Sequence, residues 1–277
     1  MMPVQFPFRP SAAASCSRLI SLVAFVAVLM LTMRASEAAA SGIDDSLHSH
    51  LSALAATLPE PAQQALESIE GSERKLLAAR SYARAGAELV TRWSWTSLQI
   101  RQFEASAEYE RLLAQVRMVS NRFEAQNPGY SLYANMQVRT LELQLARWHE
   151  NPRVGTTAEE LRRAVTRELR SHDYPLRATS QSVERFRQFL LRWYPSMPAP
   201  LAAPGLSAHG QLRAVDFQVT KGAEVVAGPS IATVRDAWEH SGWRNRLSEA
   251  VRSAGVSFIG PLAAPNEPWH YVYNAAN

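Results

Sequence analysis

Two imidazoles and two carboxylates stand in two short stretches of the last quarter of the chain. His209 and Asp216 lie in the segment Ser-Ala-His-Gly-Gln-Leu-Arg-Ala-Val-Asp over residues 207–216, and Glu267 and His270 lie in the segment Glu-Pro-Trp-His. Two histidines and one aspartate make an N,N,O ligand set that suits Zn²⁺. Three protein ligands leave a fourth position for water, and the remaining glutamate would serve as a base beside the metal. These residues predict a catalytic rather than a structural zinc site.

The elements that carry these residues must bring them to one point. His209 and Asp216 are seven positions apart, and on one straight strand side chains at that spacing face opposite ways. A turn or bulge is therefore expected between them, and Gly210 permits one. Residues 214–219 then alternate as a half-buried strand does, with Asp216 on the face opposite Val215.

The second stretch is typical of the approach to a strand. Pro268 argues against a helix-borne Glu-x-x-His pair, because proline interrupts a helix. Residues 269–273 read Trp-His-Tyr-Val-Tyr, an alternation that places His270 and Val272 on one face and three aromatic rings on the other. Glu267 is expected just ahead of this strand, close to the metal.

Together these stretches resemble the Ser-x-His-x-x-Gly-x-Ala-x-Asp and Glu-x-x-His motifs of the LAS zinc metallopeptidases. That group includes D-Ala-D-Ala carboxypeptidases and dipeptidases, lysostaphin-type endopeptidases and the hedgehog signalling domain. The nearer likeness is to the D-Ala-D-Ala branch, where the segment often reads Pro-Gly-x-Ser-x-His, because residues 204–209 read Pro-Gly-Leu-Ser-Ala-His. Leu212 stands where the family usually has glycine, so no positive φ is expected at that position.

A third match precedes these two. Residues 139–144 read Arg-Thr-Leu-Glu-Leu-Gln and resemble the Arg-[Ser/Thr]-x-x-x-Gln stretch of the same branch. The resemblance implies that Arg139 lies by the zinc and steadies negative charge on the substrate carbonyl, a task that suits an always charged guanidinium. It also implies that Gln144 and Ser207 support the ligands or contact the substrate. The alternative for Arg139 is an ordinary residue on a helix surface.

The first 40 residues predict an export signal. Arg9 and Arg18 precede an apolar run over residues 19–33, and small residues follow it, with a cleavage point after Ala38 or Ala40. The run is short for a transmembrane helix, which needs about 20 apolar residues. The protein is therefore expected to be exported to the periplasm or the cell exterior, without a stable membrane anchor after cleavage. An uncleaved anchor is the alternative.

The charge and cysteine content restrict the function classes. Lysine and arginine number 29 and aspartate and glutamate 25, a net charge of +4, which falls to +2 without residues 1–40. So small an excess does not indicate nucleic acid binding. The single cysteine, Cys16, also lies in the expected signal, so the exported chain would have no disulfide.

Helical periodicity dominates residues 41–126, which are expected to form a helical region packed on a catalytic domain over residues 127–277. A wall- or partner-binding module is the alternative for this region, and Trp93 and Trp95 are either core residues or a sugar-stacking pair. Because about 60 residues separate Gln144 from Ser207, a helical insertion is expected at about 153–195.

The sequence thus predicts an α+β fold, a LAS-like zinc domain with a small antiparallel sheet preceded by a helical region. The resemblance implies a secreted zinc peptidase that hydrolyses a peptide bond in peptidoglycan stem peptides or cross-links, as a D,D-carboxypeptidase or an endopeptidase. One alternative is a catalytically inactive, zinc-containing module that binds the cell wall or a partner. Another is a scaffold whose helical region binds the wall. Glu267 weighs against the inactive module, because a structural zinc needs no free carboxylate beside it.

Overall fold

The computed structural model describes residues 42–274, so the expected signal segment lies outside the described residues. Nine α-helices and five strands, with short 3₁₀ and π turns, make up the regular structure of this part of the chain. The predicted α+β class is confirmed. None of the helices in residues 42–274 combines the length and the apolar character that a membrane crossing requires.

The helices fall into three runs along the chain: five precede the first strand, three lie between the first and second strands, and one lies between the third and fourth strands. Their bounds are α1 (42–55), α2 (Glu60–Ser68), α3 (Ser72–Ala85), α4 (Ser97–Glu104), α5 (Ala107–Gln126), α6 (Leu141–Glu150), α7 (Pro152–Ser171), α8 (Ser180–Arg192) and α9 (Trp243–Ala254). The helices expected within the insertion are α7 and α8. Between the third strand and α9 the chain forms a 3₁₀ turn, Ile231–Thr233, followed by a π-helix, Val234–His240.

Local residues account for several helix ends. Asn151 caps α7 by accepting hydrogen bonds from two backbone N–H groups, and Pro152 at the first helical position needs no such partner. Thr96 and Gln99 form a reciprocal capping box at the start of α4. Gly255 ends α9 in a left-handed conformation, which glycine adopts without steric cost.

All strands of the sheet pair in an antiparallel manner. The strands are β1 (Ser131–Asn135), β2 (Ala214–Lys221), β3 (Glu224–Ala227), β4 (Phe258–Ile259) and β5 (His270–Tyr273). The strand order is β1-β2-β5-β4. On the side of β2 away from β1, β5 pairs with the first residues of β2 and β3 pairs with its last residues. β2 and β3 form a hairpin, and the predicted small antiparallel sheet is present.

Two hydrophobic cores fill the described part. The first lies among α1, α2, α3, α6, α7 and α8, with Tyr82, Trp148 and Phe186 fully buried in it. The second lies among α4, α5, α9 and the sheet, with Phe217 and Tyr271 fully buried. Each core draws on residues from both sides of position 126, since α7 and α8 pack with the first three helices and α5 packs on the sheet.

The two tryptophans of the helical region join different cores. Trp93 packs edge-on against Tyr82 at a ring-centroid distance of 5.5 Å. Trp95 packs edge-on against Phe103 at 4.9 Å. These contacts support the core interpretation of the pair. The residue between them, Ser94, lies where the two cores meet.

Candidate metal centre

Strand pairing places two of the predicted ligands opposite each other. Asp216 on β2 lies directly across from His270 on β5, and His270 Nδ1 is 2.8 Å from Asp216 Oδ1. Both side chains lie on the face of the sheet opposite the second core, because their strand neighbours Val215 and Tyr271 are buried in that core. The alternation of side chains along β2 and β5 therefore places Asp216 and His270 on the same face of the sheet.

A 3₁₀ turn brings in the third predicted ligand. His209 lies within the turn Ala208–Gln211, ahead of β2, and only 2% of its surface is exposed. Its Nε2 is 3.2 Å from Asp216 Oδ2, and its ring centroid is 5.2 Å from that of His270. The turn that the sequence requires between His209 and Asp216 is present. It is closed by a 2.8 Å hydrogen bond from the Gly210 N–H to the Ser207 carbonyl oxygen.

The backbone at Leu212 corrects an expectation. Leu212 ends the 3₁₀ turn in the left-handed region, with φ of 54°, so the expectation that this position needs no positive φ is wrong. A left-handed conformation costs a non-glycine residue roughly 1–2 kcal/mol. The leucine side chain is buried in the second core, and that burial, worth about 1.5–3 kcal/mol, offsets the cost.

These three residues form a candidate metal group, a set of side chains that could hold one metal ion. One candidate ligand atom from each of His209, Asp216 and His270 lies within 4.8 Å of the others. Both ring nitrogens of His209 are buried without a hydrogen-bond partner among the described residues, although Nε2 lies close to the Asp216 carboxylate. Leaving a buried polar group unpaired costs about 1–3 kcal/mol, so a bound cation would satisfy a need that the protein leaves open. The donor set and the unpaired imidazole fit a zinc ion.

The charge states of the ligands agree with this fit. Burial lowers the pKa of His209, against the opposing effect of Asp216, and so favours the neutral imidazole that a metal requires. Burial alone would raise the pKa of Asp216, but the adjacent imidazoles and the Arg139 guanidinium outweigh it, so the pKa lies well below its usual value. The site therefore offers two imidazole nitrogens and one carboxylate.

Glu267 supplies a carboxylate that the ligand group does not use. It lies just ahead of β5, where its backbone N–H donates to the Leu262 carbonyl oxygen at 2.9 Å. Its Oε2 is 4.0 Å from His270 Nδ1, beyond hydrogen-bonding distance. Burial raises the pKa of Glu267, although the charge of His270 opposes this. A carboxylate with a raised pKa beside a metal group is suited to accept and return a proton.

Arg139 lies in the loop between β1 and α6, immediately before Thr140, which caps α6. Its Nη2 is 2.5 Å from Asp216 Oδ2, and its backbone N–H donates to the His209 carbonyl oxygen at 3.3 Å. Burial lowers the pKa of Arg139, and the Asp216 carboxylate opposes this, so the guanidinium keeps its charge. Arg139 is thus a cleft residue next to the metal group and not a solvated residue of a helix surface.

Gln144 connects the Arg139 loop to the turn that carries His209. Its amide nitrogen donates to the Arg139 carbonyl oxygen at 2.6 Å and to Ser94 Oγ at 2.8 Å. Its amide oxygen accepts from the Gly205 N–H at 2.9 Å. The side chain is buried, so the structure gives Gln144 a supporting position beneath the site.

Ser94 is a supporting residue that the sequence did not single out. Its backbone N–H donates to the Gly205 carbonyl oxygen at 2.8 Å, and a Cβ at Gly210 would collide with its side chain. Its neighbour Trp95 donates to the Gly210 carbonyl oxygen at 2.9 Å. The helical region thereby holds the ligand-bearing turn directly. No chemical motif marks Ser94, and its position between two tryptophans is the only signal in the sequence.

An open cleft of about 420 Å³ adjoins the metal group. Arg139, Ser207, His209, Glu267 and His270 all line it, and Ser207 is half-buried there. The remaining lining residues are Arg92, Gln144, Arg147, Leu206, Ala208 and the apolar residues of 198–202, Leu262, Ala264 and Pro265. A substrate in this cleft would meet the candidate ligands, the free carboxylate and Arg139 together.

Comparisons with models of protein families, with curated protein sequences and with solved structures found no match to this chain.

Proposed function

We propose that the protein is a zinc-dependent peptidase of the LAS type, with His209, Asp216 and His270 as the zinc ligands. The observation that carries this proposal is the convergence of those three side chains beside the uncommitted carboxylate of Glu267. A structural zinc site closes around its metal with four protein ligands. Three ligands, a free carboxylate and an open cleft instead suit hydrolysis.

The protein's own groups would perform the proton and charge transfers. Zinc, when bound, would supply a Lewis acid and a water whose pKa falls to about 7. Glu267 would take a proton from the water that attacks the scissile carbonyl carbon and deliver it to the amine nitrogen as the C–N bond breaks. Arg139 would donate hydrogen bonds to the substrate carbonyl oxygen as negative charge develops on it. Its present ion pair with Asp216 places the guanidinium next to the ligand group, within the same cleft.

The proposed substrate is a peptide bond in peptidoglycan stem peptides or cross-links. The motifs around His209, His270 and Arg139 support this, through their likeness to the D-Ala-D-Ala branch. The cleft volume of about 420 Å³ lies in the range that accommodates a short peptide or small ligand. Export to the periplasm or the cell exterior belongs to the same proposal, because the substrate lies outside the cytoplasmic membrane.

A binding module that contains zinc but does not catalyse hydrolysis is the second candidate. It would need the three ligands and the cleft, but not a carboxylate with a raised pKa. The position of Glu267, half-buried beside the candidate ligands without a hydrogen bond of its side chain to them, favours the enzyme.

Digestion of purified sacculi by the zinc-loaded protein tests the proposal. New peptide ends identified by mass spectrometry would establish hydrolysis and name the bond. The Glu267→Gln variant keeps the side-chain shape and is expected to retain zinc while its rate falls by roughly 10²–10⁴. A variant that hydrolyses at the wild-type rate would show that Glu267 is not the catalytic base. Absence of hydrolysis by the zinc-loaded wild type on sacculi and isolated stem peptides would favour the binding module.

A further inference from the structure

The cleft beside the metal group carries more positive than negative charge. Three arginines line it, Arg92, Arg139 and Arg147, and Glu267 is the one acidic residue among the described residues that line it. Asp216 lies below, buried and already in contact with Arg139. A bound zinc ion would add two further positive charges. Such a cleft favours an anionic ligand over a neutral one, because charges of one sign focus the field inside a concave surface.

Among the three arginines of the cleft, Arg147 is the one whose side chain has no partner among the described residues. It follows Gln144 by one turn of α6, and the described residues offer its guanidinium no hydrogen bond and no ion pair. Gln144 is fixed by three hydrogen bonds, so this turn of α6 holds a set position relative to the ligand-bearing turn. The positive charge of Arg147 also contributes to the lowered pKa of Arg139, after burial. The guanidinium groups of Arg139 and Arg147 therefore lie close enough in the cleft for their charges to interact.

Arg92 adds a third positive charge to the lining of the cleft, on a less firmly held side chain. Its Nη1 is 3.7 Å from the Glu88 carboxylate, and both side chains are largely exposed. An exposed ion pair of this length holds neither partner firmly. Arg92 is therefore free to turn toward a ligand that enters the cleft.

We propose that Arg147, with Arg92 in a secondary role, binds a free carboxylate of the substrate close to the bond that is cut. This inference rests on the proposed peptidase function and adds a substrate class to it, peptides that carry an unamidated carboxylate near the scissile bond. A guanidinium suits the task because its planar fork matches the two oxygens of a carboxylate. The carboxylate is either the C-terminus of the peptide or an acidic side chain within it.

Binding without turnover tests this inference separately from hydrolysis. The zinc-loaded Glu267→Gln protein serves as the common background, and calorimetry measures the Kd of matched stem peptides. One pair differs only in a C-terminal acid or amide, and a second pair differs only in isoglutamate or isoglutamine. We expect the acid of at least one pair to bind about tenfold more tightly, the effect of one charge-assisted hydrogen bond in a partly solvated site. The pair that shows the preference identifies which carboxylate is bound.

Substitution of Arg147 then shows whether this residue causes the preference for the acid. Arg147→Gln in the same background is expected to bind acid and amide equally and to retain its zinc. Arg163→Gln removes a charge from an exposed position on α7 away from the cleft and is expected to keep the full preference. Equal affinity for both members of both pairs in the background protein would overturn the inference. A preference that survives in Arg147→Gln would assign it to zinc or Arg139 and would equally overturn the role of Arg147.

Discussion

Arg139 and His209 are seventy positions apart in the sequence, yet the backbone N–H of Arg139 donates to the carbonyl oxygen of His209 at 3.3 Å. The Arg139 side chain meanwhile contacts Asp216 at 2.5 Å. The same residue thereby contacts one candidate metal ligand through its backbone and another through its side chain. The loop before α6 and the turn before β2 are consequently joined directly, and the position of the guanidinium depends on that of the candidate ligands.

Arg139→Lys is expected to bind zinc normally and to lose roughly 10²–10³ in kcat, the effect of removing one donor to a developing oxyanion. A compact ammonium carries the same charge but cannot reproduce the planar fork of donors. Steady-state rates on a stem peptide, together with zinc content by elemental analysis, measure both effects. Arg163→Lys, on the outer surface of α7, is the matched control. A variant with unchanged kcat would remove Arg139 from the catalytic mechanism.

Gln144→Leu is expected to lower the free energy of unfolding by about 2–5 kcal/mol. The substitution keeps the side-chain size but leaves the Arg139 carbonyl, the Ser94 hydroxyl and the Gly205 N–H without their shared partner. Urea denaturation measures the loss. Gln137→Leu changes an exposed glutamine of the same segment and is expected to stay within about 0.5 kcal/mol of the wild type. Equal stabilities of the two variants would show that the hydrogen bonds of Gln144 contribute little.

The strands that carry the site could be predicted because their information is local. Alternation in residues 214–219 and 269–273 fixes which side chains face the second core, and antiparallel pairing then places Asp216 opposite His270. The turn between His209 and Asp216 follows from the same periodicity. Two side chains seven positions apart can share one face only if the strand is interrupted between them.

The support beneath the site could not be predicted because it depends on contacts between distant segments. Ser94 contacts Gly205 and Gln144, which are 111 and 50 positions away in the sequence, and no pattern around Ser94 encodes those partners. The same applies to α7 and α8, whose apolar faces indicate burial but not the helices on which they pack. Amphipathicity shows which face of a helix is buried, but it does not show which element packs against that face.

Metal removal is expected to destabilise the protein and zinc to restore it. The buried nitrogens of His209 have no hydrogen-bond partner among residues 42–274, so without a metal the imidazole keeps an unsatisfied polar group in the interior. Saturation at about 1,000 times the Kd would add about 4 kcal/mol to the free energy of unfolding, by mass action. Differential scanning fluorimetry with and without a chelator measures the shift in Tm.

The histidine variants show whether that shift belongs to the proposed site. His209→Ala is expected to abolish the zinc-dependent rise in Tm. His240→Ala, which changes an exposed histidine outside the candidate ligand group, should keep it. A rise that persists in His209→Ala would assign the stabilising zinc to another place on the protein.

Leu212 provides a test of backbone strain that is independent of catalysis. Both Leu212→Ala and Leu212→Gly remove the buried side chain and should lower the free energy of unfolding by about 2–5 kcal/mol. They differ in the backbone, because φ of 54° strains alanine but not glycine. Relief of about 1–2 kcal/mol exceeds the extra entropy that glycine gains in the unfolded chain, about 0.4–1 kcal/mol. Leu212→Gly should therefore be more stable than Leu212→Ala by about 0.5–1 kcal/mol.

Leu247 gives the opposite order and so serves as the control. It is fully buried within α9, where the backbone is helical and glycine is less stable than alanine by about 1 kcal/mol. Urea denaturation of all four variants should thus show glycine above alanine at position 212 and alanine above glycine at position 247. The same order at both positions would mean that the left-handed backbone relaxes when leucine is removed. The buried leucine, and not the turn before β2, would then be what holds residue 212 in that conformation.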